Sequence, residues 1–298
     1  MIWMARRSSL VKSMRKWLLF LGVLSTAVWG ATPAAAVSVG FEASEGYVLG
    51  PLSPPPGTTA QQGWSGGAQP GFTNNDPGDE EVTNTEAYAG SNNSWHYARG
   101  YGSPGQGTPF SPVMSGVAGP GTDFSFSIYF KAADAAGDGS EQNLYMGTAA
   151  GTDRTGFNIY LENASSGDGL HLYTYDWISG SSSKQVFATN LDRSAWHHIH
   201  VDAEFRADPA DDTFEYSVDE TPLFSGNSWP NNWRLSEGYT PVYGNSIKFA
   251  DGGGDTLAHD GFYYDSLSYS FANVPEPGSG LLLLAGLCGL AARRQRQR

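Results

Sequence analysis

Asp123-Phe-Ser-Phe-Ser-Ile-Tyr-Phe130 places Phe124, Phe126, Ile128 and Phe130 on one side of an extended chain and Ser125, Ser127 and Tyr129 on the other. That alternation is the period of a β-strand with one buried face, and a helix cannot carry it. The period returns in Ala195–Phe205, where Ile199, Val201, Ala203 and Phe205 oppose His198, His200, Asp202 and Glu204. Gln142–Gly147, Gly156–Glu162 and Leu170–Trp177 read as further strands, and Ser246–Phe249 and Gly261–Phe271 close the series. Asp212–Val218 turns at Asp219-Glu220 into Thr221–Phe224, which predicts a hairpin; the polar, Trp-containing stretch after it reads as a loop. Gly, Ser, Asn and Asp break the chain about every eight to twelve residues. The fold class is therefore all-β, and the absence of an internal repeat removes a propeller or solenoid.

Upstream of residue 120 the pattern loosens. Val37–Glu42 reads as a first strand and Ser94–Arg99 as a short one, but residues 49–80 are rich in Gly and Pro and include Pro54-Pro-Pro56. Such a stretch cannot supply a central strand. Trp64 inside it is expected to close an edge of the core. One domain over 37–273 follows, with a loop-rich part (37–119) and a regular core (120–271).

Both chain ends carry targeting patterns. Arg6, Arg7, Lys12, Arg15 and Lys16 precede the apolar run Trp17–Trp29 and the small residues Ala34–Ala36, which predicts a signal peptide over 1–36 cut after Ala36. At the other end, Val274-Pro275-Glu276-Pro277 precedes an apolar run over 278–292 and then Arg293, Arg294, Arg296 and Arg298. As a helix that run spans about 22 Å, short of the roughly 30 Å of a hydrocarbon core. It is read as a short transmembrane helix with its basic end held on the cytoplasmic side.

Of the 17 Lys and Arg, nine lie in these terminal segments, and only one of the 30 acidic residues does. The 37–273 domain thus carries about −21 charges, which excludes nucleic acid as a partner. The single cysteine, Cys288, sits in the apolar tail, so the domain has neither a disulfide nor a thiol nucleophile.

The tail, with its Val274–Pro277 motif, Leu281–Ala292 run and Arg293–Arg298 end, resembles the PEP-CTERM sorting signal of exopolysaccharide-producing Gram-negative bacteria. The resemblance implies export through the inner membrane, transient anchoring by the tail, processing by an exosortase and delivery to the cell surface or matrix. A second resemblance rests on Phe124–Phe130, the Trp196-His197 strand start, the Tyr216-Ser217-Val218-Asp219 hairpin and the closing Tyr264-Asp265-Ser266-Leu267, in that order. These look like the concanavalin A-like, laminin-G-type jelly roll. It implies that residues 37–42 pair beside 263–271. The family pattern has Gly after the hairpin aspartate, where this chain has Glu220, so the turn type departs from it.

Members of that fold include glycoside hydrolases, and those resembling laminarinases carry a Glu-x-Asp-x-x-Glu string, which is missing here. Asp202/Glu204 and Glu215/Asp219 read as solvated faces. The expectation is a non-enzymatic surface or matrix protein that binds exopolysaccharide or another glycan. A glycoside hydrolase or lyase on the same fold, or a purely structural matrix component, are the alternatives. Tyr173, Tyr175 and Trp177 form an outward stripe, and Trp229 and Trp233 follow in a polar stretch; flat rings so placed can stack on pyranose faces. The Asp134/Asp138 and Asp251/Asp255 loops can wrap Ca2+, a hard cation that takes oxygen ligands. His198 and His200 share a strand face and could hold zinc, with no third ligand nearby in sequence. No cofactor is demanded by any motif.

Overall fold

The computed structural model describes residues 36–52, 60–66, 80–98, 109–115, 119–147, 155–164, 167–178, 180–240, 243–251 and 260–273. Signal peptide, sorting tail and Asp255 lie outside them. Among the described residues no helix is long and apolar enough to cross a membrane.

Ala34–Phe271 form one compact unit, an all-β jelly-roll sandwich of two antiparallel sheets. The first sheet runs β14 (Thr221–Gly226), β13 (Thr213–Val218), β12 (His197–Phe205), β7 (Thr122–Ala132), β16 (Phe262–Asn273), β5 (Ser94–Tyr97), β4 (Glu80–Thr83) and β2 (Gly50–Pro51). β1 (Val37–Val39) also pairs with β16, with Val37 opposite Tyr269 and Val39 opposite Leu267, as the resemblance to the jelly roll implies. The second sheet runs β11 (Ser181–Leu191), β10 (Leu170–Ile178), β9 (Thr155–Asn163), β8 (Glu141–Gly147), β15 (Ser246–Asp251), β6 (Pro109–Phe110) and β3 (Ser65–Gly66).

The deciding stretch behaves as its alternation requires. Phe126 lies opposite Val201 and Ile128 opposite Ile199 across the β7–β12 ladder, all four buried against the second sheet's Leu144, Ile159 and Leu172 in one core. Each such side chain contributes about 1.5–3 kcal/mol by leaving water. The loop-rich N-terminal part is tied to this core by aromatic rings. Trp64 and Trp95 are 5.0 Å apart between centroids, and both pack on Phe249 of β15. Trp64 is buried and its indole N–H donates to the Tyr47 hydroxyl at 3.0 Å, so it closes the core edge as expected.

Two elements differ from the sequence reading. β11 was not expected, because an edge strand with most side chains in solvent carries no apolar alternation; Ser181-Ser-Ser-Lys-Gln-Val is mostly polar. The expected loop after β14 contains an α-helix, α1 (Trp229–Ser236), which starts after Ser228 with Pro in its first turn. Eight residues with two adjacent asparagines give too little periodicity to signal a helix.

The β13–β14 hairpin answers the question Glu220 raised. Asp219 and Glu220 have φ of 48° and 63°, so the two-residue turn is of type I′ despite lacking glycine. Left-handed geometry costs a residue with a Cβ roughly 1–2 kcal/mol. Glu220→Gly is therefore expected to raise stability by about 0.5–1 kcal/mol after glycine's greater unfolded-state entropy is subtracted. Urea midpoints of the two proteins check this. A lower midpoint for the variant would mean that the exposed Glu220–His198 contact, 2.8 Å long, outweighs the strain.

Candidate functional site

Alternate residues of the second sheet point away from the core, and they form an ordered polar-aromatic face. One rung across the strands reads Val186 (β11), Tyr173 (β10), Tyr160 (β9), Asn143 (β8) and Ala250 (β15). On the next rung, Lys184 stands opposite Tyr175, and Tyr145 lies between Asn158 and Lys248. On the other side, Glu162 of β9 pairs with both His171 and Glu141.

Tyr173 is the hub. Its ring lies parallel to Tyr160 at 4.6 Å on the β9 side, and the Lys184 ammonium sits 3.6 Å from its centroid on the β11 side. Its hydroxyl donates to Glu141, and burial followed by this contact pushes it well above the usual phenol range. Both faces of the Tyr173 ring are occupied, so it orders the surface around it. The ring faces left for a ligand belong to its neighbours.

Those neighbours lead onto α1. Tyr175 and Trp177 are half-buried, and Tyr175 is 6.0 Å from Trp229. Trp233 stands one helical turn beyond Trp229 on the same face of α1. It is 40% exposed and stacks at 6.0 Å on Tyr239, itself 59% exposed. The two residues before the helix tie it to the sheet. Asn227 donates its side-chain N–H to the Trp177 carbonyl at 2.9 Å and its backbone N–H to Asp176 at 3.0 Å; the Ser228 hydroxyl donates to the Gly156 carbonyl at 3.0 Å.

Several polar atoms along this path are buried without hydrogen-bond partners: both amide atoms of Asn143, Nδ2 of Asn158 and the indole Nε1 of Trp229. An unsatisfied buried donor costs about 1–3 kcal/mol, so four such atoms beside one aromatic row are unusual for a purely structural surface. The half-buried and exposed rings of the row can stack on flat partners, while Tyr173, Tyr160, Asn143 and Asn158 are buried beneath that surface.

Sequence reasoning placed the stripe on β10 but missed Tyr160 and Asn143, which reach it only through strand pairing.

Part of the acidic loops lies within the described residues. Asp134 and Asp138 come together with Asp260, their oxygens within 4.8 Å of one another. Asp138 already accepts backbone N–H groups from Ser140 at 2.9 Å and Asp260 at 2.8 Å, and the Asn163 amide at 3.0 Å. The three carboxylates could hold a metal ion. Asp260 arrives from the far end of the chain, so no local spacing announced it. Asp251 ends β15.

His198 and His200 share a face with ring centroids 6.3 Å apart. Each faces its own carboxylate, Nδ1 of His198 at 2.8 Å from Glu220 and Nε2 of His200 at 2.9 Å from Asp202. Among the described residues these histidines and carboxylates do not converge as a group of three that could hold a metal ion.

Comparison with known proteins adds the address. Residues 273–297 match the PEP-CTERM protein-sorting motif, so the chain carries this signal for export and membrane-anchored C-terminal sorting. No curated protein matches the chain significantly. Among solved structures it is similar to the β-glucanase of Bacillus licheniformis (12% identity, 76% of this chain and 97% of that one, TM-score 0.39). It is also similar to an endo-1,3-β-glucanase from Streptomyces sioyaensis (13%, 81% and 98%, TM-score 0.43) and to the cellulose-induced protein Cip1 (15%, 78% and 96%, TM-score 0.44). These are likenesses of fold.

Proposed function

We propose that this exported chain is a non-enzymatic surface or matrix protein of a Gram-negative bacterium, and that its second sheet and α1 together bind a glycan, the host's exopolysaccharide first among them. Exosortase processing of the 274–298 tail releases it from transient anchoring in the inner membrane. The observation that carries the binding function is the aromatic row from Tyr175 through Trp229 to Trp233, flanked by the orphan amides of Asn158 and Asn143. Stacking supplies affinity that tolerates different sugars.

The test incubates the 37–273 domain with exopolysaccharide from the producing strain and measures retention and chain shortening together. Retention without shortening is expected. Trp229→Ala and Trp233→Ala are each expected to weaken retention about tenfold, the scale of one lost stacking contact. Unchanged retention in both variants would sink the site.

One observation favours a second reading, glycoside hydrolysis. Glu141 and Glu162 are direct cross-strand partners on the same face, which puts their Cβ atoms about 4.5–5.5 Å apart. That falls near the carboxyl spacing of retaining enzymes. Against it, both carboxylates are already engaged: the Tyr173 hydroxyl donates to Glu141, and Lys184 lies 3.9 Å from Glu162. Shortening that disappears in Glu141→Gln would establish the enzyme.

Ca2+ is the ion proposed for Asp134, Asp138 and Asp260, since oxygen donors on a flexible loop suit it. Chelation is then expected to lower Tm by several degrees, and Asp138→Asn to remove that sensitivity. An identical Tm with and without chelator argues for a metal-free acidic turn.

A further inference from the structure

α1, the helix that carries half of the proposed aromatic row, stands on a buried carboxylate. Asp212 closes the 3-10 turn Pro209–Asp211, which packs against α1. It is 1% exposed; one carboxylate oxygen accepts the Arg206 backbone N–H at 2.7 Å, and the other, Oδ2, has no hydrogen-bond partner. Asn231, in the first turn of α1, faces the same carboxyl. Tyr243, just before β15, brings a buried hydroxyl without a partner, its ring packed 5.3 Å from Phe205.

The charge of Arg206 favours ionised Asp212 only as a minor contribution. Arg206, after β12, directs its guanidinium to Glu204. Asp208, at the start of the 3-10 turn, adds a like charge, Asp211 is exposed, and Arg234 lies in the last turn of α1. A buried carboxylate in these surroundings is costly when ionised. Burial, opposed by the Arg206 N–H and Asn231, pushes the Asp212 carboxyl up to about 7; burial and the nearby aspartates push the Tyr243 hydroxyl up to about 12.

We propose that Asp212 is a proton-controlled latch for the glycan site: when protonated it lets α1 seat with Trp229 against Tyr175, and when ionised it drives α1 off its seat and breaks the aromatic row. This regulation rests on the glycan-binding reading given above. The sign follows from linkage. With α1 displaced, the carboxyl meets water and titrates near its ordinary value of about 3.9. The seated form therefore holds the proton more tightly. Rising pH favours the displaced form by up to about tenfold per unit between roughly pH 4 and 7, and the effect levels off above that window. A glycan that binds only the seated form restores it by mass action, so apparent affinity falls over the same window.

The experiment labels the 37–273 domain with 5-fluorotryptophan and follows the Trp229 and Trp233 resonances, assigned by W229F and W233F, from pH 4.5 to 8.5. Retention of the host exopolysaccharide is measured in the same series, for the unmodified domain and for Asp212→Asn. Asparagine keeps the acceptor for the Arg206 N–H and has no charge to gain. The expected result is a Trp229 resonance that titrates and a retention about tenfold weaker at pH 8 than at pH 5, both flat in the variant. Resonances that stay flat in the unmodified domain, or titrate equally in Asp212→Asn, overturn the latch. So does retention that ignores pH while the resonances move. Titrating resonances with no retention at any pH would leave the latch standing and remove the glycan reading beneath it.

Discussion

Trp95→Ala is expected to destabilise the domain by about 3–5 kcal/mol, the range for truncating a buried tryptophan, and to lower Tm by on the order of 10 °C in a domain of this size. Trp95 is fully buried where the loop-rich N-terminal part meets both sheets. Its ring lies 5.0 Å from Trp64, 5.2 Å from Tyr97, 4.7 Å from Phe249 and 5.4 Å from Tyr264. Removing it empties the space on which residues from 41 to 264 converge. The indole N–H has no hydrogen-bond partner, so Trp95→Phe loses volume and no bond, and is expected to recover more than half of the loss. Thermal melts of the two variants decide between packing and polarity. Equal losses in both would mean that the indole N–H, and not the bulk of the ring, is what stabilises the site.

The second large effect is expected at Gly261. It sits at the start of β16 with φ of +70°, and a Cβ built there would lie 2.1 Å from the Tyr97 carbonyl oxygen and 2.6 Å from the Ala98 Cα. Backbone on a neighbouring strand cannot rotate away as a flexible side chain can. Gly261→Ala is expected to cost on the order of 3 kcal/mol, combining left-handed strain with displacement of β5. Gly121 is the control: its φ is +79°, yet nothing lies within 4 Å of its added Cβ. Gly121→Ala should therefore cost only the backbone part, about 1 kcal/mol. If chemical denaturation gives the two variants the same loss, the clash with Tyr97 carries no weight and only φ matters.

Legibility in the sequence followed the reach of each contact. Phe124, Phe126, Ile128 and Phe130 announced β7 because a strand buried on one face writes its period into consecutive residues. Trp64 could be assigned to the core from its setting in Gly and Pro. β11 stayed hidden because an edge strand has little to bury, and its register is dictated by β10. α1 stayed hidden because its position comes from Asn227 and Ser228 bonding to β10 and β9, contacts that no helical pattern encodes. The aromatic face was half visible: Tyr173 and Tyr175 alternate along one strand, but the parallel Tyr160 ring and the Asn143 amide join them only through pairing of β8, β9 and β10. Asp260 completes its acidic cluster from 122 residues away. Asp212 gave no local signal of burial, since an aspartate in an acidic turn reads as one more oxygen-rich loop until the helix above it is known.

Among the described strands β16 is the last made, and it sits near the middle of its sheet, between β7 on one side and β5 and β1 on the other. Its partners are synthesised up to about 230 residues earlier and wait for it. A nascent chain lacking residues 262–273 therefore lacks the strand that joins β7 to β5 and β1 in the first sheet. Such a chain is expected to stay unfolded until that strand is supplied. The topology is thus expected to keep the precursor threadable through a narrow pore, with folding completed only as the stretch next to the sorting signal comes through.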